Sequence, residues 1–428
     1  MQTFAALLGI ALALTILVVV LFLIGSVFVT AFFAVDSKWI PVTYNIRSLT
    51  RRRVTTTVTV LGMALAVGVF SAGLQLRNGI KKTLVTAGRE DNVVILRKGS
   101  NAEITSVVDR EQAKLLASRD EVAIDPKDGK PLADPQVSVL IFAQRPGGIS
   151  TDGTNVFVRG LSERTTAIHP TVKVIEGRWF QPGTSEIVIG KSLVGKFVNA
   201  QLGQEMSFAR RGWKVVGVID SGGSSFDSEV WGDLEQVMAA FQRTLYSALV
   251  VRVKDKKTIP QMAEGVALDP RLSLDVKMEQ KYYEDLSSGL SNLLGFLGLF
   301  VAVVFSLGAT LGATISMYAQ VAARIREVGV LRALGFRRSA IFVSFVLESV
   351  LLGLIAGGVG LGLSAFMQFA SFSTMSFGTF SQVTFCFALT PDVFWKSAIF
   401  ATMMGYAGGV LPATRAFRTP ITQAVKGA

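Results

Sequence analysis

Arg324-Ile-Arg-Glu-Val-Gly-Val-Leu-Arg-Ala-Leu-Gly-Phe-Arg-Arg338 separates two long apolar runs, and its reading decides how the rest of the chain is arranged. Val328, Leu331 and Leu334 recur at i, i+3 and i+6 as a narrow apolar stripe, surrounded by Arg324, Arg326, Glu327 and Arg332. Gly335 is placed to stop a helix, and Arg337-Arg338 stands at the next membrane entry. The spacing predicts a short amphipathic helix between two spans, suited to lying on lipid headgroups or docking into a cytoplasmic partner.

Crossing a bilayer takes about 20 predominantly apolar residues. Five segments qualify or come close. Residues 1–35 carry no charge, and Val54 to Leu76 is uncharged between Arg53 and Arg77. Leu286 to Ala323 is uncharged, and Ser339 to about Phe369 is apolar except for Glu348. Ser397 to Thr414 is the shortest. These segments explain a composition that is 50% hydrophobic and only 17% charged. Segment 1–35 reads as a retained helix, because it lacks a basic start and is longer than a signal-peptide core; a removed signal peptide is the alternative.

The 428 residues carry a net charge of +12, unevenly distributed. Residues 77–285 hold 29 basic and 27 acidic residues, whereas the remainder holds 14 basic and 4 acidic. The positive excess belongs to the membrane part, which removes the main support for nucleic-acid binding. Basic residues cluster at Lys38 to Arg53, at Arg324 to Arg338 and in the tail at Arg415, Arg418 and Lys426. Five spans with the N-terminus outside put all three clusters in the cytoplasm.

The predicted fold is therefore an α-helical bundle of about five transmembrane helices with a large inserted α+β extracytoplasmic domain. Its parts are an N-terminal helix over 1–35, a cytoplasmic basic segment over 36–53, a helix over 54–76 and the inserted domain over 77–288. A membrane domain over 289–414 carries the loop 318–338, and a cytoplasmic tail runs over 415–428. Within the inserted domain, Val93–Leu96, Val137–Phe142, Val156–Val158, Glu186–Ile189, Trp213–Val218 and Ala248–Val253 have strand character. Glu111 to Leu116, Ser192–Val198 and Leu234–Phe241 read as helical.

One Cys (Cys386) and one His (His169) exclude an internal disulfide and a His/Cys zinc site. His169 precedes Pro170 and reads as a turn residue. Gly190-Lys191-Ser192 resembles the end of a phosphate-binding loop, but Ser185 stands where that motif needs its first glycine. No group of residues nominates a catalytic site, a metal site or a bound cofactor.

Small residues four apart let membrane helices approach closely. They occur at Gly308/Gly312, Gly353/Gly357, Gly358/Gly362 and Gly405/Gly409, suited to packing within the chain, a dimer face or a sliding contact. Glu348 is the one acid inside a span and must face protein or water; a structural partner, a gating role and a proton relay are its possible uses. Val383, Phe385, Phe387 and Leu389 alternate with Thr384, Cys386 and Ala388 in a strand-like period. That stretch either packs at the outer membrane–water boundary or receives a hydrophobic cargo.

The 324–338 loop resembles the cytoplasmic signature of FtsX-like and MacB-like ABC permeases, of the form R-E-[IV]-G-x-L-[RK]-A-x-G. Leu347-Glu348-Ser349 through Gly362 is similar to the acid-then-glycine-rich span of that family. Gly409-Val-Leu-Pro-Ala-Thr-Arg-Ala-Phe-Arg-Thr-Pro420 resembles its G-x-x-P-A-x-R-A ending. Asn45-Ile-Arg47 through Arg53 looks like the basic helix leading into its first span. Glu176-Gly-Arg-Trp-Phe180 and Trp213-Lys-Val-Val-Gly-Val-Ile219 are similar to parts of its periplasmic core domain. The resemblance covers about 42–428; segment 1–35 is extra to the family's four spans.

The resemblance implies a permease subunit, itself no enzyme, with ATP and magnesium held by a separate cytoplasmic ABC ATPase subunit. It also implies a second permease copy or paralogue, contact with membrane lipid, an optional periplasmic adaptor and residence in a bacterial cytoplasmic (inner) membrane. Val328, Leu331 and Leu334 would form the ATPase docking face, with Arg324, Glu327 and Arg332 setting charge pairing. The implied work is export or extraction of a hydrophobic, lipidated or peptide substrate. The alternatives are a non-transporting permease that drives an extracytoplasmic partner mechanically, and a membrane-anchored binding protein.

Overall fold

The computed structural model describes residue 49 and residues 53–147, 152–375 and 382–418. Two compact units emerge: one from the described parts of 1–75, 295–368 and 389–428, the other from 76–294 with 369–388. The second unit thus takes in a stretch that the sequence reading left within the membrane domain.

Among the described residues the helical unit is built on four long helices: α1 (Arg53–Val85), α5 (Glu279–Ala323), α7 (Arg338–Ala365) and α8 (Pro391–Arg418). Among the described residues, three segments are long and apolar enough to cross a membrane: Arg53–Val85, Ser291–Ala323 and Arg338–Phe369. The expected count of about five is therefore not confirmed among the described residues. Segment 1–35 lies outside the described residues. The 397–414 segment is helical within α8, but Gly405, Gly408, Gly409, Tyr406 and Pro412 dilute its hydropathy.

Helix α7 is the buried member of the bundle, whereas α5 turns Leu307, Leu311 and Ile315 outward. Glycine decides how α7 meets α8. A Cβ on Gly353 would lie 2.9 Å from the Cα of Gly405 and 2.5 Å from the carbonyl oxygen of Ala401. A Cβ on Gly409 would lie 2.4 Å from that of Ser349. Gly357 faces the Ala401 methyl. Gly308, Gly312, Gly358 and Gly362 face open space, so these four close no contact inside the unit.

The second unit is a sheet domain. Its strands are β1 (Asn92–Arg97), β2 (Ala133–Gln144), β3 (Gly153–Leu161), β4 (Lys173–Gly177), β5 (Glu186–Gly190), β6 (Glu205–Phe208), β7 (Arg211–Asp220), β8 (Glu229–Asp233), β9 (Ala248–Arg252) and β10 (Leu274–Met278). They run β10-β1-β9-β2-β3-β8-β5-β7-β4, with β6 on β7. Helices α2 (Arg110–Ala117), α3 (Leu234–Ala240) and α4 (Ile259–Leu268) accompany them. Strand β1 is apolar from Val93 to Leu96 because both faces are covered: Val94 and Leu96 join one cluster, Val93 and Ile95 the other. Strands β1 and β10 pair antiparallel, so the chain enters from α1 and leaves into α5 side by side.

The expected Ser192–Val198 helix is instead a run of turns. Gly195 at φ +71 takes a left-handed conformation that a helix interior cannot contain. Strands β11 (Ser371–Met375) and β12 (Gln382–Cys386) pair as a separate two-stranded sheet, which accounts for the alternating pattern seen there.

Candidate coupling site

Helix α6 (Ile325–Ala333) is the short helix expected between two spans. Gly335 takes φ +94, a conformation only glycine adopts without strain, and the chain turns there into α7. Arg324, between α5 and α6, is 4% exposed. Its Nη1 donates to Glu348 Oε2 at 2.7 Å and its Nε to Glu327 Oε2 at 3.1 Å. The guanidinium also sits over the Phe345 ring, 5.1 Å from its centroid. Glu348, one turn further along α7, is 1% exposed.

A carboxylate buried this deeply survives only with a partner in place, and losing one member of such a pair costs about 3–5 kcal/mol. Arg324 and Glu348 therefore fasten the start of α6 to α7. Arg324 is thereby an internal residue rather than a surface charge.

The apolar stripe divides. Val328 is buried among Met317, Val321 and other bundle residues, and Leu331 packs partly against the same cluster. Leu334 is 72% exposed, and so is Val330 at 57%, a residue the sequence reading left out of the stripe. The reason is geometric: steps of three residues drift by about 60° each around a 3.6-residue helix, so i and i+6 no longer share a face. The outward face carries Arg326, Glu327, Val330 and Leu334. Arg332 is half-buried, and burial with Arg338 nearby holds its guanidinium below the usual range.

The sheet domain holds buried charges that sequence reading missed. Arg159 donates from Nε to Glu229 Oε2 at 2.9 Å and from Nη1 to Gln136 Oε1 at 2.7 Å, and it also pairs with Glu103. Glu229 Oε2 accepts the Trp231 indole N–H at 2.7 Å. The available signal was an arginine inside the apolar strand Val-Phe-Val-Arg159-Gly-Leu, where its guanidinium needs buried acceptors.

Beside this cluster, Glu279 Oε2 accepts the Arg89 backbone N–H at 3.0 Å and the Asn92 side-chain amide at 2.9 Å. His169 Nε2 lies 3.6 Å from Glu279 Oε1. His169 ends a one-turn helix, as a turn residue would, but it is buried. Burial pushes the Glu279 carboxyl up to about 7. Burial, then the charges of Arg159 and Arg252, push the His169 imidazole down to about 3. Between about pH 3 and pH 7 the pair is thus a neutral acid facing a neutral imidazole. Gly190-Lys191 is structural as well: a Cβ on Gly190 would strike Asp227, and Lys191 pairs with Asp220 and Asp227.

Comparison with known proteins bears on most of the chain. The MacB-like periplasmic core domain matches residues 56–267, and the FtsX-like permease C-terminal domain matches 299–421. Macrolide export ATP-binding/permease protein MacB of Bdellovibrio bacteriovorus is 21% identical over 325 residues, covering 71% of this chain and 49% of that protein. This chain therefore spans about half the length of that relative. An uncharacterized ABC transporter permease of Methanocaldococcus jannaschii is 21% identical over 341 residues, covering 75% of this chain and 82% of the relative. The crystal structure of the periplasmic region of MacB from Actinobacillus actinomycetemcomitans covers 47% of this chain and 94% of its own, at 14% identity and a TM-score of 0.34. The two domain matches, in the order core domain then permease domain, carry the assignment: the chain belongs to the MacB-like/FtsX-like family of ABC transporter permeases.

Proposed function

We propose that the chain couples a separate cytoplasmic ATPase, carrying ATP and magnesium, to movement of the sheet domain on the opposite side of a bacterial cytoplasmic membrane. The observation that carries this reading is α6: fastened from beneath by Arg324, Glu348 and Val328, it turns Val330 and Leu334 into solvent at a membrane-entry loop rich in arginine. Exposed apolar residues at such a loop favour a protein partner. The basic loops orient the sheet domain outward and the N-terminus outside. Helix α5 runs unbroken over Glu279–Ala323, from a strand of the sheet domain to the threshold of α6, which supports transmission of motion along it.

The work proposed for that motion is export or extraction of a hydrophobic, lipidated or peptide substrate by a pair of permeases, two copies or this chain with a paralogue, with a periplasmic adaptor as a further partner. The name of the MacB relatives, macrolide export, favours a hydrophobic substrate. The test is ATP-dependent movement of such substrates in vesicles holding the permease with its co-purified ATPase. Transport supports the reading. ATP hydrolysis without transport of any lipidated, peptide or macrolide substrate would replace it by mechanical drive of an outer partner.

A further inference from the structure

Three segments of the sheet domain continue in sequence into the helical unit: the end of α1, the start of α5, and the β11–β12 pair. Inside the sheet domain all three meet in two adjoining layers. The first is apolar, with Ile80 and Leu84 of α1, Phe385 of β12 and Leu294 of α5 in one cluster. Backbones touch there: a Cβ on Gly79 would fall 2.1 Å from the carbonyl oxygen of Cys386.

The second layer is charged. A cavity of about 20 Å³ is lined by Leu84 of α1, Tyr282 and Tyr283 of α5, Val383 of β12, and the Arg159–Glu229 pair. Tyr282 Oη accepts the Glu103 backbone N–H at 3.1 Å. The Thr384 N–H donates to Ser228 Oγ at 3.1 Å, beside Glu229. Glu279, at the start of α5, ties down the Arg89 amide just beyond the end of α1.

A buried charged cluster is strongly disfavoured in a half-made state, since each group left unpaired has lost its water without gaining a partner. Loosening one segment admits water to the charges that hold the others. We propose that the layer around Arg159 is a junction that clamps the end of α1, the start of α5 and the β11–β12 pair to one another and to the sheet, so that the three are displaced as one body. The proposal deepens the coupling function and rests on it only for the transmission of motion.

Gly79→Ala tests the clamp, because the added methyl must push Cys386 away, while Gly62→Ala on the same helix meets nothing within 4 Å and serves as control. Hydrogen exchange on the full-length protein is the readout. The junction predicts exchange faster by about tenfold or more at 382–386 and, together with it, at 279–286, the control being unchanged. Faster exchange confined to 382–386 would overturn the clamp. Ser228→Ala, which removes only the bond to the Thr384 amide, gives the same two outcomes should Gly79→Ala not fold. If the clamp is confirmed, vesicle transport by the loosened variant separates the two claims: lost coupling supports transmission through the junction, and wild-type coupling refutes it while leaving the clamp.

Discussion

Between pH 4.5 and 6.5, His169 and Glu279 give the sheet domain a pH dependence that is visible only when one of them is removed. Glu279 has its carboxyl raised from the ordinary 4.5 to about 7, so it binds a proton more tightly when folded. It favours the native state most below pH 4.5 and progressively less as pH rises toward 7. His169 is lowered from 6.5 to about 3, so it favours the native state above pH 6.5 and progressively less as pH falls toward 3. Between pH 4.5 and 6.5 the unfolded pair carries one proton on the imidazole and the folded pair carries one on the carboxyl. The proton count is equal, and the two slopes cancel.

Glu279→Gln leaves the histidine alone. Stability should then rise with pH by about 1.4 kcal/mol per unit across this window, measured against wild type. His169→Gln leaves the acid alone, and stability should fall with pH by about the same amount per unit. The groups facing the pair, Arg89, Asp91, Arg252, Arg159 and Glu103, are common to all three proteins and drop out of the difference. Denaturant unfolding of the detergent-purified chain, followed through the buried Trp213 and Trp231, measures it at pH 4.5, 5.5 and 6.5. Parallel curves for wild type and both variants would refute the proton exchange between the two side chains.

The Arg324–Glu348 pair predicts that Arg324→Met destabilises the protein by about 3–5 kcal/mol and that adding Glu348→Gln recovers most of the loss, as read by thermal unfolding in detergent. The glycine contacts predict different outcomes on two helices. Gly405→Ala, whose methyl would lie 2.7 Å from the Ser349 carbonyl oxygen, should lower the unfolding midpoint. Gly312→Ala, facing open space, should leave it unchanged or raise it by the helix preference of alanine over glycine, about 1 kcal/mol.

Much of this arrangement is legible in the sequence because it rests on local signals. Uncharged runs mark the spans at α1, α5 and α7, Gly335 ends α6, and alternation marks β12. The coupling site is legible in position but not in orientation. A three-residue spacing fits either face of a nine-residue helix, and what turned Val328 inward is the bundle beneath it, anchored by Glu348 from a different helix. Pairings across long separations are legible only by half: Arg159 within an apolar strand signals a buried cation, but nothing local names its partners, Glu103 and Glu229, at distances of 56 and 70 residues along the chain. Ser192–Val198 shows the converse, since its helical composition is overridden by the left-handed Gly195.

The central claim is that the outward face of α6 receives the ATPase. Gentle purification from the native membrane, with mass spectrometry of bound proteins, tests it on the intact chain and on Val330→Asp/Leu334→Asp, whose side chains are exposed and whose replacement leaves the core untouched. The expected result is an ATP-binding subunit held by the intact chain and lost from the variant, with both proteins unfolding at the same temperature. An ATPase held equally by both, or by neither while other membrane complexes survive, would contradict the claim.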